Sequence, residues 1–308
     1  MIDDAYIRPQ IPPFVKKYFG LGRQCKKNEK MLKSKTDFLL EIFCANVIIR
    51  RMRTKVLIYR DYGVSNLAHL TAELCAYFTP RGKMVDFTDA EAILKKDALD
   101  DSVALFVMPG GAATPFIQKL HTLGRQKINN YVQRGGHYLG VCAGAYYACT
   151  SVEFERDIPQ LAVVTKDDLL NLIDSRAVGT LHKELSIYPY TNNADSGTTV
   201  CLKWQDEQTH YVHYHGGPKF LAENAQFEVL ARYQDIPDNP PAIIAQNYGQ
   251  GRVVLSAVHF ENKGQDLQKI LHGARGNIEK ALHTAKILTQ HEISRKLLAT
   301  KIMSALER

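Results

Sequence analysis

Tryptophan occurs once in the 308 residues and cysteine six times. The cysteines, at positions 25, 44, 75, 142, 149 and 201, form no C-x-x-C pair and no short-range Cys/His cluster. That pattern argues against a structural zinc and a disulfide framework, and for a reducing, cytoplasmic setting. Long apolar runs are missing as well. Phe38 to Ile49 is the one stretch that resembles a membrane segment, and it is too short to span a bilayer and carries Glu41 and Asn46. A signal peptide would need a start near Met31 with Glu41 inside its apolar region, so neither a leader nor a transmembrane segment is expected. No internal repeat is present.

What the sequence does hold is an ordinary globular balance, 45% hydrophobic and 23% charged residues, enough to bury a sizeable core. The net charge of +7 is unevenly placed: residues 1 to 55 contain thirteen Lys/Arg against five Asp/Glu, whereas the remainder has 26 against 27. The basic character therefore belongs to the N-terminal segment. Such a leader can touch nucleic acid or anionic lipid, but it reads first as a solvated extension, and no specific nucleic-acid partner is expected. The chain divides by pattern into a basic N-terminal extension at 1–53, a main domain at 54–264 and a C-terminal helical extension at 265–308. Either extension could serve self-association or a protein partner.

Lys55 to Tyr59 is a continuous apolar run of the kind buried on both faces of a parallel sheet. Asn66 to Phe78 has helical periodicity, Met84 to Phe87 and Val103 to Met108 read as strands, and Phe116 to Arg134 reads as a helix interrupted at Gly124. Strands and helices alternating at this spacing predict a mostly parallel sheet covered on both sides. Ser151 to Gly197 reads as loops with short strands. Further strands are expected at Cys201 to Trp204, His210 to Tyr214, Phe227 to Tyr233, Ala242 to Tyr248 and Arg252 to Ala257. The last two are joined by Gly249-Gln250-Gly251, a hairpin signal. Residues 265 to 307 are helical by pattern, with a break around Gly273 to Gly276.

Gly140-Val141-Cys142-Ala143-Gly144 stands where a short strand pattern gives way to small and apolar residues at helical spacing. A sharp strand-to-helix turn needs small neighbours, because a nucleophile on it is held in a strained conformation with other backbone close by. Cys142 is thus the candidate nucleophile. Cys149, seven residues on, falls two helical turns along the same helix, and it and Cys75 read as core residues. A cysteine nucleophile needs a base and a group to orient that base. His259 and Glu261, two apart after a strand, place an imidazole and a carboxylate on one face. Attack on a carbonyl also needs an oxyanion site, for which the amides of Ala143 and of Gly110-Gly111 are the candidates; both lie at carboxyl ends of strands, where open α/β sheets hold ligands. His213 and His215 offer two imidazoles without a third ligand, so no metal is expected.

A Pro109-Gly110-Gly111 strand end, the Gly-x-Cys-x-Gly turn and a late His-x-Glu, in that order, resemble the class I glutamine amidotransferase-like fold. More closely, Lys55 to about Glu261 is similar to the biotin-protein ligase N-terminal domain family. The stretches that carry the likeness are Val107 to Gly111, Tyr138 to Tyr146, Val152 to Glu155, Tyr214 to Phe220, Val229 to Tyr233 and Val254 to Glu261. The resemblance implies a flavodoxin-like three-layer sandwich with a Cys142, His259, Glu261 triad, and with Tyr146, His215 and Gly216 beside it. Glutaminases of this fold usually carry Gln four residues after the nucleophile, where this chain has Tyr146. The family usually has an acidic residue just after Pro-Gly-Gly, where Ala112-Ala113 stand, and Asn where His215 stands. No Gly-rich biotin-adenylate loop is present, and the resemblance is to the amidotransferase-like module standing alone. The expectation is a cysteine-dependent amide hydrolase or acyltransferase acting without a cofactor on a small amide, the substrate left open. The competing expectation is a binding or regulatory module that keeps the fold without the chemistry.

Overall fold

The computed structural model describes residues 53–191, 193, 196–224, 226–270 and 277–308. The basic leader, apart from Arg53, and the predicted break at Gly273 to Gly276 lie outside the described residues. Among those described, a nine-stranded sheet forms the centre. Its strands are β1 (Lys55–Tyr59), β2 (Met84–Thr88), β3 (Val103–Met108), β4 (His137–Val141), β8 (Thr198–Trp204), β9 (Thr209–Tyr214), β11 (Glu228–Tyr233), β12 (Pro241–Tyr248) and β13 (Gly251–Ser256), in the order β2-β1-β3-β4-β13-β12-β11-β8-β9. A second sheet is built from β5 (Cys149–Phe154), β6 (Val163–Thr165), β7 (Ile173–Gly179) and β10 (Lys219–Ala222), in the order β10-β7-β5-β6. The helices are α1 (Leu67–Phe78), α2 (Ala90–Lys95), α3 (Ala113–Gln133), α4 (Ala143–Ala148), α5 (Gly264–Ile270), α6 (Ile278–Gln290) and α7 (Glu292–Ala305).

The strand pairings from β2 through β1, β3 and β4 to β13 are parallel. Those from β13 through β12, β11 and β8 to β9 are antiparallel, so the sheet is mixed rather than mostly parallel. The reason lies in the connections: a parallel neighbour needs a long crossover, whereas the Gly249-Gln250 turn returns the chain directly as an antiparallel hairpin. Strands β3 and β13 are buried at every position, as expected where both faces of a sheet are covered. Helix α7, in the stretch read as a C-terminal extension, adds Leu298, Ile302 and Met303 to the same apolar core.

Two local readings are corrected. The irregularity in α3 falls at His121 (φ 41°, ψ −165°) rather than at Gly124, where a Cβ would stand 2.8 Å from Leu120 Cβ; that glycine marks close packing against the preceding turn. Helix α4 ends at Ala148, and Cys149 opens β5 instead of continuing the helix. The segment read as loops with short strands between Ser151 and Gly197 contains β7, whose alternate residues are buried, along with most of β5 and the short β6.

Helix α4 lies unusually close to the sheet. A Cβ on Gly144 would stand 2.1 Å from the Met108 carbonyl oxygen, and the Gly144 N–H donates to Pro109 O at 3.1 Å. Gly144→Ala must therefore push α4 away from β3. It is expected to lower the unfolding free energy by about 1–3 kcal/mol, the usual cost of overpacking, read as a lower urea midpoint at unchanged m-value.

Candidate active site

Strand β4 lies between β3 and β13, and all three run parallel, so the loops that leave their carboxyl ends meet above the sheet. Those loops begin with Cys142 after β4, Pro109-Gly110-Gly111 after β3, and Ala257 to Glu261 after β13. The chain order reverses between β1 and β3, the switch point at which open α/β sheets form a crevice. There the loop after β1 pairs with the loop after β3: Ser65 N–H donates to Gly110 O at 2.9 Å and Ala112 N–H to Gly63 O at 2.8 Å.

Cys142 has φ 49° and ψ −104°, outside the regions that suit a side chain, a strain on the order of 1–3 kcal/mol. Its surroundings hold it there. Its N–H donates to Ser256 O at 2.9 Å, and its carbonyl accepts from Ala145 and Tyr146 at 2.9 and 3.0 Å. The thiol donates to the His215 carbonyl at 3.6 Å. Gly110 lies against both Cys142 and the His259 ring: a Cβ there would stand 2.8 Å from His259 Cε1 and 3.6 Å from Cys142 Cβ. Among the described residues, neither the Gly111 nor the Ala143 N–H has a backbone acceptor.

His259 Nδ1 donates to Glu261 Oε1 at 2.7 Å, and both side chains are almost wholly buried. Burial disfavours the charged imidazole, but the Glu261 carboxylate and the adjoining Cys142 outweigh it, so His259 keeps its proton well above the ordinary 6.5. The His259 N–H donates to His213 O at 2.8 Å, which ties the loop to β9. Fully buried Arg295 of α7 donates to the carbonyl of Phe260, the residue between His259 and Glu261. Its charge is met by Glu73 at 3.0 Å and Glu292 at 2.8 Å.

A second polar chain backs the first. Asn262 donates through Nδ2 to His213 Nδ1 at 2.9 Å and accepts through Oδ1 from His69 Nδ1 at 3.2 Å. Burial, then the neighbouring His215 and His259, push His213 well below its usual value and keep it neutral, as an acceptor at Nδ1 must be. Among the described residues no cluster of three His, Cys, Asp or Glu side chains is placed to hold a metal ion.

Of the residues predicted from sequence, Cys142, His259, Glu261, Gly110, Gly111 and Ala143 come together. Tyr146 joins them: burial keeps its phenol protonated, and it donates to Gly216 O at 3.1 Å. His215 meets Cys142 through its carbonyl, while its ring lies beside Ser196 Oγ and Thr191 O, each 2.9 Å from Nε2. Sequence reasoning missed Arg295, Asn262 and the cleft walls Tyr62, Phe154 and Tyr190. A lone arginine in an amphipathic helix, or aromatics in loop-like segments, carry no spacing that marks them.

Because His259 holds its proton more tightly folded than unfolded, its contribution to stability is fully present below about pH 6.5 and is lost as pH rises through the higher folded value. Glu261→Gln removes the largest favourable cause. Its destabilisation is expected to be about 3 kcal/mol at pH 6, the low end for breaking a buried pair because the imidazole can shed its proton, and to shrink as pH rises. Urea unfolding of wild type and variant across pH 6 to 9 measures the difference.

Residues 54–307 match the family model described as biotin-protein ligase, N terminal. The chain is 34% identical over 215 residues to an uncharacterized protein of Chlamydia muridarum (strain MoPn / Nigg), covering 67% of this chain and 80% of that one. It is 32% identical over 212 residues to a biotin–protein ligase of Schizosaccharomyces pombe, covering 67% of this chain and 33% of the ligase, and so spans about a third of that relative's length. Among solved structures it is similar to a glutamine amidotransferase of Thermotoga maritima, at 14% identity and a TM-score of 0.49 over 84% of this chain and all of the other. A second glutamine amidotransferase is similar at 16% identity and a TM-score of 0.46, over 67% of this chain and 90% of its own. The match over nearly the whole described chain means that the protein belongs to the biotin-protein ligase N-terminal family.

Proposed function

We propose that the protein is a cysteine-dependent amide hydrolase or acyltransferase. The observation that carries this reading is the placement of Cys142, on a strained turn at the end of β4, beside a buried His259–Glu261 pair. In this mechanism the thiol has already given its proton to His259, and the Cys142 thiolate attacks the carbonyl carbon. The Gly111 and Ala143 N–H groups hold the oxygen as it becomes negative, and the loss of one such donor costs roughly a hundredfold in rate. The tetrahedral species collapses with cleavage of the C–N bond, and His259 returns the proton to the departing amine. A water molecule, or an amine acceptor in the transfer reaction, then attacks the thioester and releases Cys142. Glu261 orients the ring and stabilises the imidazolium throughout.

The test is alkylation by iodoacetamide at pH 6.5, read by peptide mass spectrometry. Cys142 is expected to react at least tenfold faster in wild type than in His259→Ala, because a protonated imidazole beside a sulfur favours the thiolate. Cys149 is the internal control: it is buried, burial pushes its thiol up, and it should stay unmodified in both proteins. Equal rates for Cys142 in the two proteins would contradict the proposal and favour a fold kept for binding.

A further inference from the structure

Cys142 opens into a cleft of about 470 Å³, within the range that accommodates small organic ligands. Among the described residues, no Asp, Glu, Lys, Arg or His lines it. One wall is a chain of aromatic rings: Tyr146 meets Phe154 edge-on at 5.8 Å between centroids, and Phe154 meets Tyr190 edge-on at 5.6 Å. Val152 and Val163 continue that side, Pro115 comes from the first turn of α3, and Tyr62 is 74% exposed at the mouth.

Two carboxylates beside these walls are turned to other work. Asp61 accepts from the Tyr62 N–H at 2.7 Å and pairs with Lys119 at 3.6 Å. Glu155 is buried behind the wall, where it accepts from the Tyr190 N–H at 2.8 Å and from the Thr180 hydroxyl at 2.6 Å. Both carboxylates fix the backbone that presents the rings. The Tyr146 hydroxyl, which a polar substrate might otherwise use, is spent on Gly216 O.

We propose that the cleft takes amides whose acyl group is uncharged and apolar, and rejects acyl groups that carry an amino-acid head. This rests on the cysteine chemistry proposed above. A free α-amino acid brings an ammonium and a carboxylate, and a carboxylate laid against aromatic edges and valines loses hydration with no cation to replace it. An apolar chain on the same walls gains about 25 cal/mol for each Å² removed from water, with a further contribution from the aromatic contacts. The specificity is therefore built by omission: the described walls carry no fixed cation, and the imidazolium of His259 is already held between Glu261 and Cys142, so an anionic head has no partner.

Two p-nitroanilides with the same scissile bond separate the possibilities, hexanoyl p-nitroanilide and γ-glutamyl p-nitroanilide. In each, Cys142 Sγ forms a thioester with the acyl carbon, the C–N bond breaks, p-nitroaniline leaves with the proton from His259, and water hydrolyses the thioester to the carboxylic acid. The hexanoyl compound is expected to show a kcat/KM at least tenfold higher than the γ-glutamyl compound, with turnover abolished in Cys142→Ala. Val163→Arg, at a position 38% exposed on the short strand β6, places a cation at the rim and should narrow the ratio several-fold by raising γ-glutamyl turnover. Equal or better turnover of the γ-glutamyl compound in wild type overturns this inference and leaves the cysteine chemistry standing. If neither compound releases p-nitroaniline and intact-mass measurement finds no acyl adduct on Cys142, or if turnover survives Cys142→Ala, the cysteine chemistry itself is overturned and the inference falls with it.

Discussion

The hydrogen bond from His259 Nδ1 to Glu261 Oε1 is 2.7 Å long and almost wholly out of water, and the rest of the site is arranged around it. Two ionisable groups buried together are expensive unless they satisfy one another. Here the carboxylate holds a proton on the imidazole against the pull of burial, and Cys142 on the other side adds to the same effect. Fixing Nδ1 as the donor turns Nε2 toward whatever faces the ring's far edge. The pair therefore sets both the orientation and the charge of the group that the proposed chemistry requires beside a thiol.

Holding that pair in place is a task for the topology. The parallel half of the sheet brings the ends of β3, β4 and β13 side by side, so three loops distant in sequence converge there. The antiparallel half contributes through β9, whose His213 carbonyl accepts from the His259 N–H. From the C-terminal end of the chain, Arg295 reaches the Phe260 carbonyl, so a helix far from Cys142 sets the backbone between the two members of the pair. Glycines carry the other half of the task. Gly110 and Gly144 leave room that a single methyl group would fill, beside the imidazole in one case and against β3 in the other.

The parallel strands were legible because each is a short apolar run with β-branched residues, bounded by glycine or a polar turn, and their ends fell within about two residues of the observed ones. The site was legible for a related reason: a cysteine between small residues at a strand end, and His-x-Glu after another strand, are local patterns that point to a role. The second sheet was not. The buried positions of β7 include Ser175 and Gly179, so its alternation in burial is not an alternation of apolar residues, and the edge strand β6 is only three residues long and largely exposed. The same holds for the aromatic wall, since Phe154 and Tyr190 lie 36 positions apart and meet only once β5 and the following loops are folded. Cys149 was misplaced because Ala145 to Ala148 continue as helix up to it, and the turn into β5 depends on pairing with β7 that no local signal announces.

The most direct measurement is the ¹⁵N NMR titration of His259, assigned by its loss in His259→Ala, in wild type and in Glu261→Gln. The account predicts that in wild type both ring nitrogens remain protonated at pH 7 and titrate well above 6.5, and that Glu261→Gln moves the midpoint downward. A wild-type His259 that titrates near 6.5 and does not respond to Glu261→Gln would contradict it, because the buried pair would then set neither the charge nor the orientation of the imidazole.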